Sequence, residues 1–225
     1  MDGIDLPDLT DGRLRLRPPE ERDVARVTAI CQDVEVQRWT RVPVPYTEDD
    51  ARRFVQFSSD GLSHGTGVRL VAVAAGADGV LGPDAAPDGD ADADADVPPD
   101  AGEDAAPDGD EGAVSDVVLG AAGIDIHRRD LSGELGYWVA PDARRRGIAT
   151  RSSRLLLRFA FGPLQLGYVG LWAAADNPGS NAVARSLGFT FEGTARDAFL
   201  LGLPGEPDRV RGDANRWGLR PEELT

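Results

Sequence analysis

Residues 75–116 hold almost nothing from which a folded core could be built. The stretch is nearly all Ala, Asp, Gly, Pro and Val, and it includes Asp90-Ala91-Asp92-Ala93-Asp94-Ala95-Asp96. It contains no aromatic residue, no Lys and no Arg. Too little apolar surface is available to offset the entropy of ordering it, so disorder is expected there. The fold must come from the roughly 183 other residues, enough for one well-filled core. The expected domain therefore runs over residues 10–225, with 75–116 as an insertion inside it.

The insertion also distorts the charge balance. The chain carries −15 overall, but fourteen of its 39 acidic residues lie in 75–116, which leaves the remainder nearly neutral. Global acidity thus says little about the folded surface. All 24 basic residues are Arg, which we read as compositional bias. Cys31 is the only cysteine, so an intramolecular disulfide is impossible. The start, Met1-Asp2-Gly3-Ile4-Asp5, lacks a basic segment followed by an apolar run, and no stretch nears 18 apolar residues. A soluble cytoplasmic protein is expected, with neither a membrane nor a nucleic acid as partner.

Leu14-Arg15-Leu16-Arg17 alternates as a half-buried strand, ended by Pro18-Pro19. Val24, Val27, Ile30 and Val34 fall at helical spacing, predicting a helix from Glu20 to about Arg38. After the proline-rich loop Val42-Pro43-Val44-Pro45, Thr47 with Asp50 three residues on opens a second helix with Phe54, Val55 and Phe57 as its apolar face. Residues 68–74 and 117–124 read as strands of one hairpin whose turn the insertion replaces, since loop tips tolerate length. Further strands are predicted at 134–139, 168–174, 189–196 and 214–219, with helices at 148–161 and 178–187. This pattern is α/β or α+β, with a mixed central sheet flanked by helices.

The informative segment is Tyr137-Trp138-Val139-Ala140-Pro141-Asp142-Ala143-Arg144-Arg145-Arg146-Gly147-Ile148-Ala149-Thr150. A strand ends, a turn carries Arg144-x-x-Gly147-x-Ala149, and a helix begins. Amides at a helix start lack intrahelical partners, and the helix dipole adds about half a positive charge. That makes an anion site. Gly147 and Ala149 allow close backbone approach, while Arg144, Arg145, Arg146 and Arg151 add positive charge. With no Lys there is no Walker sequence.

The turn resembles the pyrophosphate loop of the GNAT acetyltransferase superfamily, Gln/Arg-x-x-Gly-x-Gly/Ala. A second segment, Asn177-Pro178-Gly179-Ser180-Asn181-Ala182-Val183-Ala184-Arg185-Ser186-Leu187-Gly188-Phe189, is similar to that superfamily's Asn-x-x-Ser helix, and to the RimJ/RimL-type branch in particular. Glu134-Leu135-Gly136-Tyr137-Trp138 also looks like that branch. The likeness spans residues 14–220 outside the insertion. It implies a single GNAT-type domain that transfers an acetyl group from acetyl-coenzyme A to a primary amine, without a metal. The acceptor is a protein N-terminus or a small-molecule amine, and a homodimer stays open. Coenzyme A would lie against Val139, Arg144, Arg145, Arg146, Gly147, Ile148, Ala149, Thr150 and Asn177.

Two residues are assigned to catalysis. Glu134 would serve as general base, directly or through water, and Ser180 as acid toward the coenzyme A sulfur. A backbone N–H where the central strands splay would stabilise the oxyanion. Asn177 reads as N-cap of its helix with Pro178 at the first helical position, which leaves the Ser180 hydroxyl unused by the cap. The chain departs from the RimL pattern at Asp197-Ala198-Phe199-Leu200, where Phe199 stands in place of an acid. Trp39 and Tyr46 are candidate walls of the acceptor pocket or simply core cover. His127 could be a base but is an isolated histidine, and Cys31 is expected to pack. The Asp-Ala repeat lacks the Gly and Glu of an EF-hand, so no ordered metal site is expected. The competing reading is a non-catalytic acyl-coenzyme A-binding protein that uses the acidic segment as an interaction tether. A larger acyl donor is also open.

Overall fold

The insertion lies between the third and fourth strands of a single eight-stranded sheet. The computed structural model describes residues 3–75, 116–201 and 210–225, so the Asp-Ala repeat lies outside the described residues. The strands are β1 (Leu9–Thr10), β2 (Leu14–Arg17), β3 (Gly67–Ala74), β4 (Gly120–His127), β5 (Ser132–Val139), β6 (Tyr168–Ala174), β7 (Thr190–Leu201) and β8 (Val210–Leu219). They lie in the order β1-β2-β3-β4-β5-β6-β8-β7. Neighbours pair antiparallel except β5 and β6, which run parallel. β3 and β4 pair from Gly67↔Asp125 to Ala72↔Gly120, so the two strands flanking the insertion do form one hairpin.

The helices are α1 (Val24–Cys31), α2 (Val34–Trp39), α3 (Glu48–His64), α4 (Ile148–Phe161) and α5 (Pro178–Ser186). The single helix expected over residues 20–38 is instead divided into α1 and α2. Asp33 is the cause: its carboxylate accepts from the Glu35 and Val36 amides, both at 3.1 Å, and so caps a new helix. Val34, expected on the apolar face, is consequently exposed. In α3 the Thr47–Asp50 capping box forms, but Phe57 points outward beneath the Arg69 guanidinium. β7 and β8 are longer than expected. β1 was not foreseen, because two residues carry no periodicity.

α3 packs against β3, while α4 packs across β4 and β5 on the opposite face. α4 fills its face with Ile148, Leu155, Leu156, Leu157 and Phe159, all buried. Gly120 lets this helix approach the sheet, since a Cβ there would sit 2.7 Å from the Trp138 carbonyl oxygen and 3.4 Å from the Ile148 side chain. Beside the insertion, Asp116 meets Arg15, Arg17 and Arg22. Arg17 also clasps buried Asp23 with two hydrogen bonds of 2.7 and 2.9 Å. Among the described residues, no helix is long and apolar enough to cross a membrane.

Candidate active site

The site begins where the sheet opens. β5 and β6 pair only from Ser132↔Tyr168 to Leu135↔Leu171, although β5 continues to Val139 and β6 to Ala174. β6 stays paired to β8 through Ala174 and β5 to β4 through Val139, so the two strands diverge as a wedge. The Ala140 amide bonds to the Leu119 carbonyl at 2.9 Å. By alternation the main-chain groups of Trp138 and Gly136 also face β4, and those of Tyr137 and Val139 face the wedge.

Side chains divide the other way. Glu134, Gly136 and Trp138 share one face of β5, and Leu135, Tyr137 and Val139 share the other. Trp138 meets Phe54 of α3 in a tilted contact, with ring centroids 6.3 Å apart at 55°, whereas Tyr137 reaches Ser180 of α5. Glu134 and Ser180 therefore lie on opposite sides of the sheet. One groove of about 940 Å³ nevertheless includes both in its lining, because it runs through the wedge.

At one end of this groove is the Arg-rich turn. Pro141–Ala143 forms a single 3₁₀ turn, then Arg145 and Gly147 adopt left-handed conformations with φ of 61° and 68°. The N-cap of α4 is Gly147, which has no side chain to cap the helix, and the Arg151 amide makes its bond to the Gly147 carbonyl at 2.9 Å. The amides of Ile148, Ala149 and Thr150 precede that bond and have no helical acceptor. Val139, Arg144, Arg145, Gly147, Ile148, Ala149 and Thr150 line the groove; Arg146 is exposed beside it. The charge around the turn is less free than the sequence implied. Arg144 is held by Asp33, the cap of α2, and Arg151 by Asp11 at 2.8 Å. Burial tends to raise the Asp11 carboxyl, but hydrogen bonds from the Leu14 and Arg13 amides and from Arg151 hold it below its usual range.

On the α5 side, the Asn177 carboxamide oxygen accepts from the Ser180 amide at 3.0 Å, so Asn177 caps the helix and lines the groove. The Ser180 hydroxyl is paired with the Tyr137 hydroxyl at 2.8 Å. Burial pushes the Tyr137 phenol up to about 12, and the Ser180 hydrogen bond works weakly the other way. Asn181 braces this corner from below. Buried to 3% exposure, it donates to the Ala174 and Asn177 carbonyls and accepts from Asn215 and the Trp217 indole at 2.9 and 3.0 Å. It thereby ties α5 to β6 and β8.

On the other face, the Glu134 side chain is 41% exposed and lies 3.9 Å from Arg41. Trp39, Arg41, Trp172 and Phe199 line the groove beside it. Asp197 points away, exposed, with a left-handed φ of 52°. Tyr46 is buried in the core, so of the two candidate walls only Trp39 borders the groove. His127 is exposed outside it, and Cys31 is buried among apolar residues. Tyr137, Asn181 and Arg41 were not singled out from sequence. Alternation along β5 marks Tyr137 as facing the helices, but its meeting with Ser180 depends on how α5 docks.

The chain matches the Acetyltransferase (GNAT) domain family over residues 13–190. It is 40% identical over 81 residues to a Bacillus subtilis (strain 168) protein named "Putative ribosomal N-acetyltransferase YdaF". That match covers 35% of this chain and 44% of the relative, so the chain spans less than half of that relative's length. In fold it is similar to RimL, a ribosomal L7/L12 alpha-N-protein acetyltransferase solved with coenzyme A. The TM-score is 0.68 at 18% identity, covering 94% of this chain and 96% of that one. Mycobacterium smegmatis RimJ, solved with coenzyme A disulfide, gives a TM-score of 0.66 at 21% identity, with 95% and 84% covered. With well over half of its length matched, the chain belongs to the GNAT acetyltransferase family.

Proposed function

We propose that the chain is an N-acetyltransferase that moves an acetyl group from acetyl-coenzyme A to a primary amine, by direct attack while both substrates are bound. One observation carries this reading: a single groove threads the wedge between β5 and β6 and is lined by the open α4 start, the Tyr137–Ser180 pair and Glu134. A protein N-terminus is the favoured acceptor class, in keeping with the names of the relatives.

The residues present fit such a donor. The α4 amides at 148–150, the helix dipole and Arg145 suit a diphosphate. The wedge-facing main chain of Tyr137 and Val139 offers a strand edge for the amide-bearing arm, next to Asn177. The bound donor would supply an activated thioester, whose C–S bond breaks as the new C–N bond forms.

Glu134 takes the proton that the attacking ammonium must lose, directly or through water. The Tyr137 amide at the wedge is placed to donate to the carbonyl oxygen as negative charge develops there. Ser180 gives its hydroxyl proton to the departing sulfur as it takes one from the Tyr137 hydroxyl, bonded to it at 2.8 Å. Solvent water reprotonates Tyr137, and the second proton that nitrogen loses as the amide forms leaves to solvent by way of Glu134.

The test couples two measurements on the full chain. Calorimetry with coenzyme A should give saturable heat, and a thiol-release assay over peptides and small amines should show turnover that depends on acceptor. Heat without release from any amine would instead favour a non-catalytic acyl-coenzyme A-binding protein. No heat at all would remove both readings.

A further inference from the structure

On the Glu134 side of the wedge the groove has an aromatic wall. Trp39 ends α2, Trp172 stands on β6 and Phe199 on β7, and all three line the groove. The Trp172 and Phe199 rings lie 6.4 Å apart at 56°. They belong to a small apolar cluster with Ala174 and Ala214, separate from the main core. The Trp39 indole is held by a 2.7 Å hydrogen bond to Glu35. Phe199 is aimed inward by a break in the β7–β8 register between Ala195 and Phe199, the kind of irregularity that redirects a side chain. Opposite Phe199 stands Gly212, where an added Cβ would meet nothing within 4 Å among the described residues. Phe199 is itself only 8% exposed, yet it lines the groove.

Arg41 sits between this wall and the carboxylate. Its guanidinium lies 5.0 Å over the Phe199 ring and 3.9 Å from Glu134, which is longer than a hydrogen bond. A guanidinium has five donors, suited to a carbonyl or carboxylate oxygen. A carboxylate, a cation and an apolar wall therefore stand together around one space. An α-amino acyl unit carries the matching trio: an amine, a carbonyl one carbon away, and a side chain on that carbon.

We infer that the acceptor is the α-amine of a peptide or amino acid whose first side chain is aromatic or large and apolar. The amine faces Glu134, the adjacent carbonyl takes Arg41, and the side chain lies against Phe199, Trp172 and Trp39. The inference rests on the acetyl-transfer reading above and narrows its substrate.

The experiment uses the full chain, acetyl-coenzyme A and short peptides differing only in a first residue of Phe, Leu, Ala, Ser or Asp, with phenethylamine as an aromatic amine lacking the carbonyl. Thiol release should give kcat/KM for the Phe-first peptide about 10–100-fold above the Ala-first one, the range that burial of such a side chain commands. Phe199→Ala should compress that ratio about tenfold, and the milder Trp39→Leu should do so less strongly if Phe199→Ala fails to fold. Arg41→Gln should lower the peptide-to-phenethylamine ratio about tenfold. Equal or better use of Ala-, Ser- or Asp-first peptides overturns the inference, as does an unchanged Phe-to-Ala ratio in both wall variants. Calorimetry of the same peptides on coenzyme A-loaded protein separates the two levels. Selective binding of the Phe-first peptide without thiol release sustains the inference while defeating acetyl transfer, and absence of that selectivity in both assays overturns it.

Discussion

The two faces of β5 meet in one groove, yet they are built from different chemistry. Toward α4 and α5 stand neutral hydroxyls, Tyr137 and Ser180, braced by the buried Asn181 network and partly shielded from water. Toward α2 and β7 stand charges, Glu134 and Arg41, both substantially exposed and set against an aromatic wall. The difference teaches how one strand can separate proton donation from proton removal. A period of two sends adjacent residues to opposite sides, and the opening beside β6 brings both sides to the lining of one groove.

The largest expected effect comes from breaking the charged side. Glu134→Gln keeps the shape and removes the carboxylate proposed to accept the ammonium proton. Steady-state kinetics should show kcat falling about 10²-fold or more. Coenzyme A affinity by calorimetry should stay within about twofold, because Glu134 faces away from α4 and α5. A fall in kcat of less than about threefold would move proton removal elsewhere and leave Glu134 as a partner of Arg41.

The hydroxyl side predicts a smaller, coupled effect. Ser180→Ala and Tyr137→Phe should each lower kcat about tenfold, roughly 1.4 kcal/mol in the barrier. Because the two hydroxyls share one hydrogen bond, the double variant should cost clearly less than the product of the two. Strict additivity would mean that they act separately and that the pair is not a donor chain.

Much of this contrast could be read from the sequence, and the unread part has identifiable causes. The helix at 148–161 and the strand at 168–174 were legible to the residue, because strong periodicity, the preceding Gly147 and close packing all agree there. The Asn177 cap was legible because capping is local. What failed was either a local competition or a long-range meeting. Asp33 ended a helix whose apolar spacing continued past it, since a side-chain cap outweighs periodicity over one turn. The ion pairs of Arg144 with Asp33 and Arg151 with Asp11 join residues more than a hundred positions apart, and no spacing rule reaches that far. The same holds for Tyr137 with Ser180. Phe199 was noticed as a departure from a pattern, but only the β7–β8 register brings it beside Gly212 and into the groove.

The smallest effect sharpens the comparison through pH. Burial raises the Tyr137 phenol from its ordinary 10.0 to about 12. Below about pH 10 folded and unfolded chains both hold this proton, and its contribution to stability is fully present. Between about 10 and 12 the unfolded chain has released the proton while the folded chain keeps it, so stability falls as pH rises. Tyr46 and Tyr168 are also raised and share that slope, so a difference between variants isolates Tyr137. Denaturant midpoints measured across this range should fall less steeply for Tyr137→Phe than for the parent. Ser180→Ala should act in the other direction: with the hydrogen bond that lowers the phenol gone, a spectrophotometric titration should show Tyr137 ionising later still. If Ser180→Ala left that titration unmoved, the two hydroxyls would not be bonded in solution, and the proposed proton path from Tyr137 to the departing sulfur would fall.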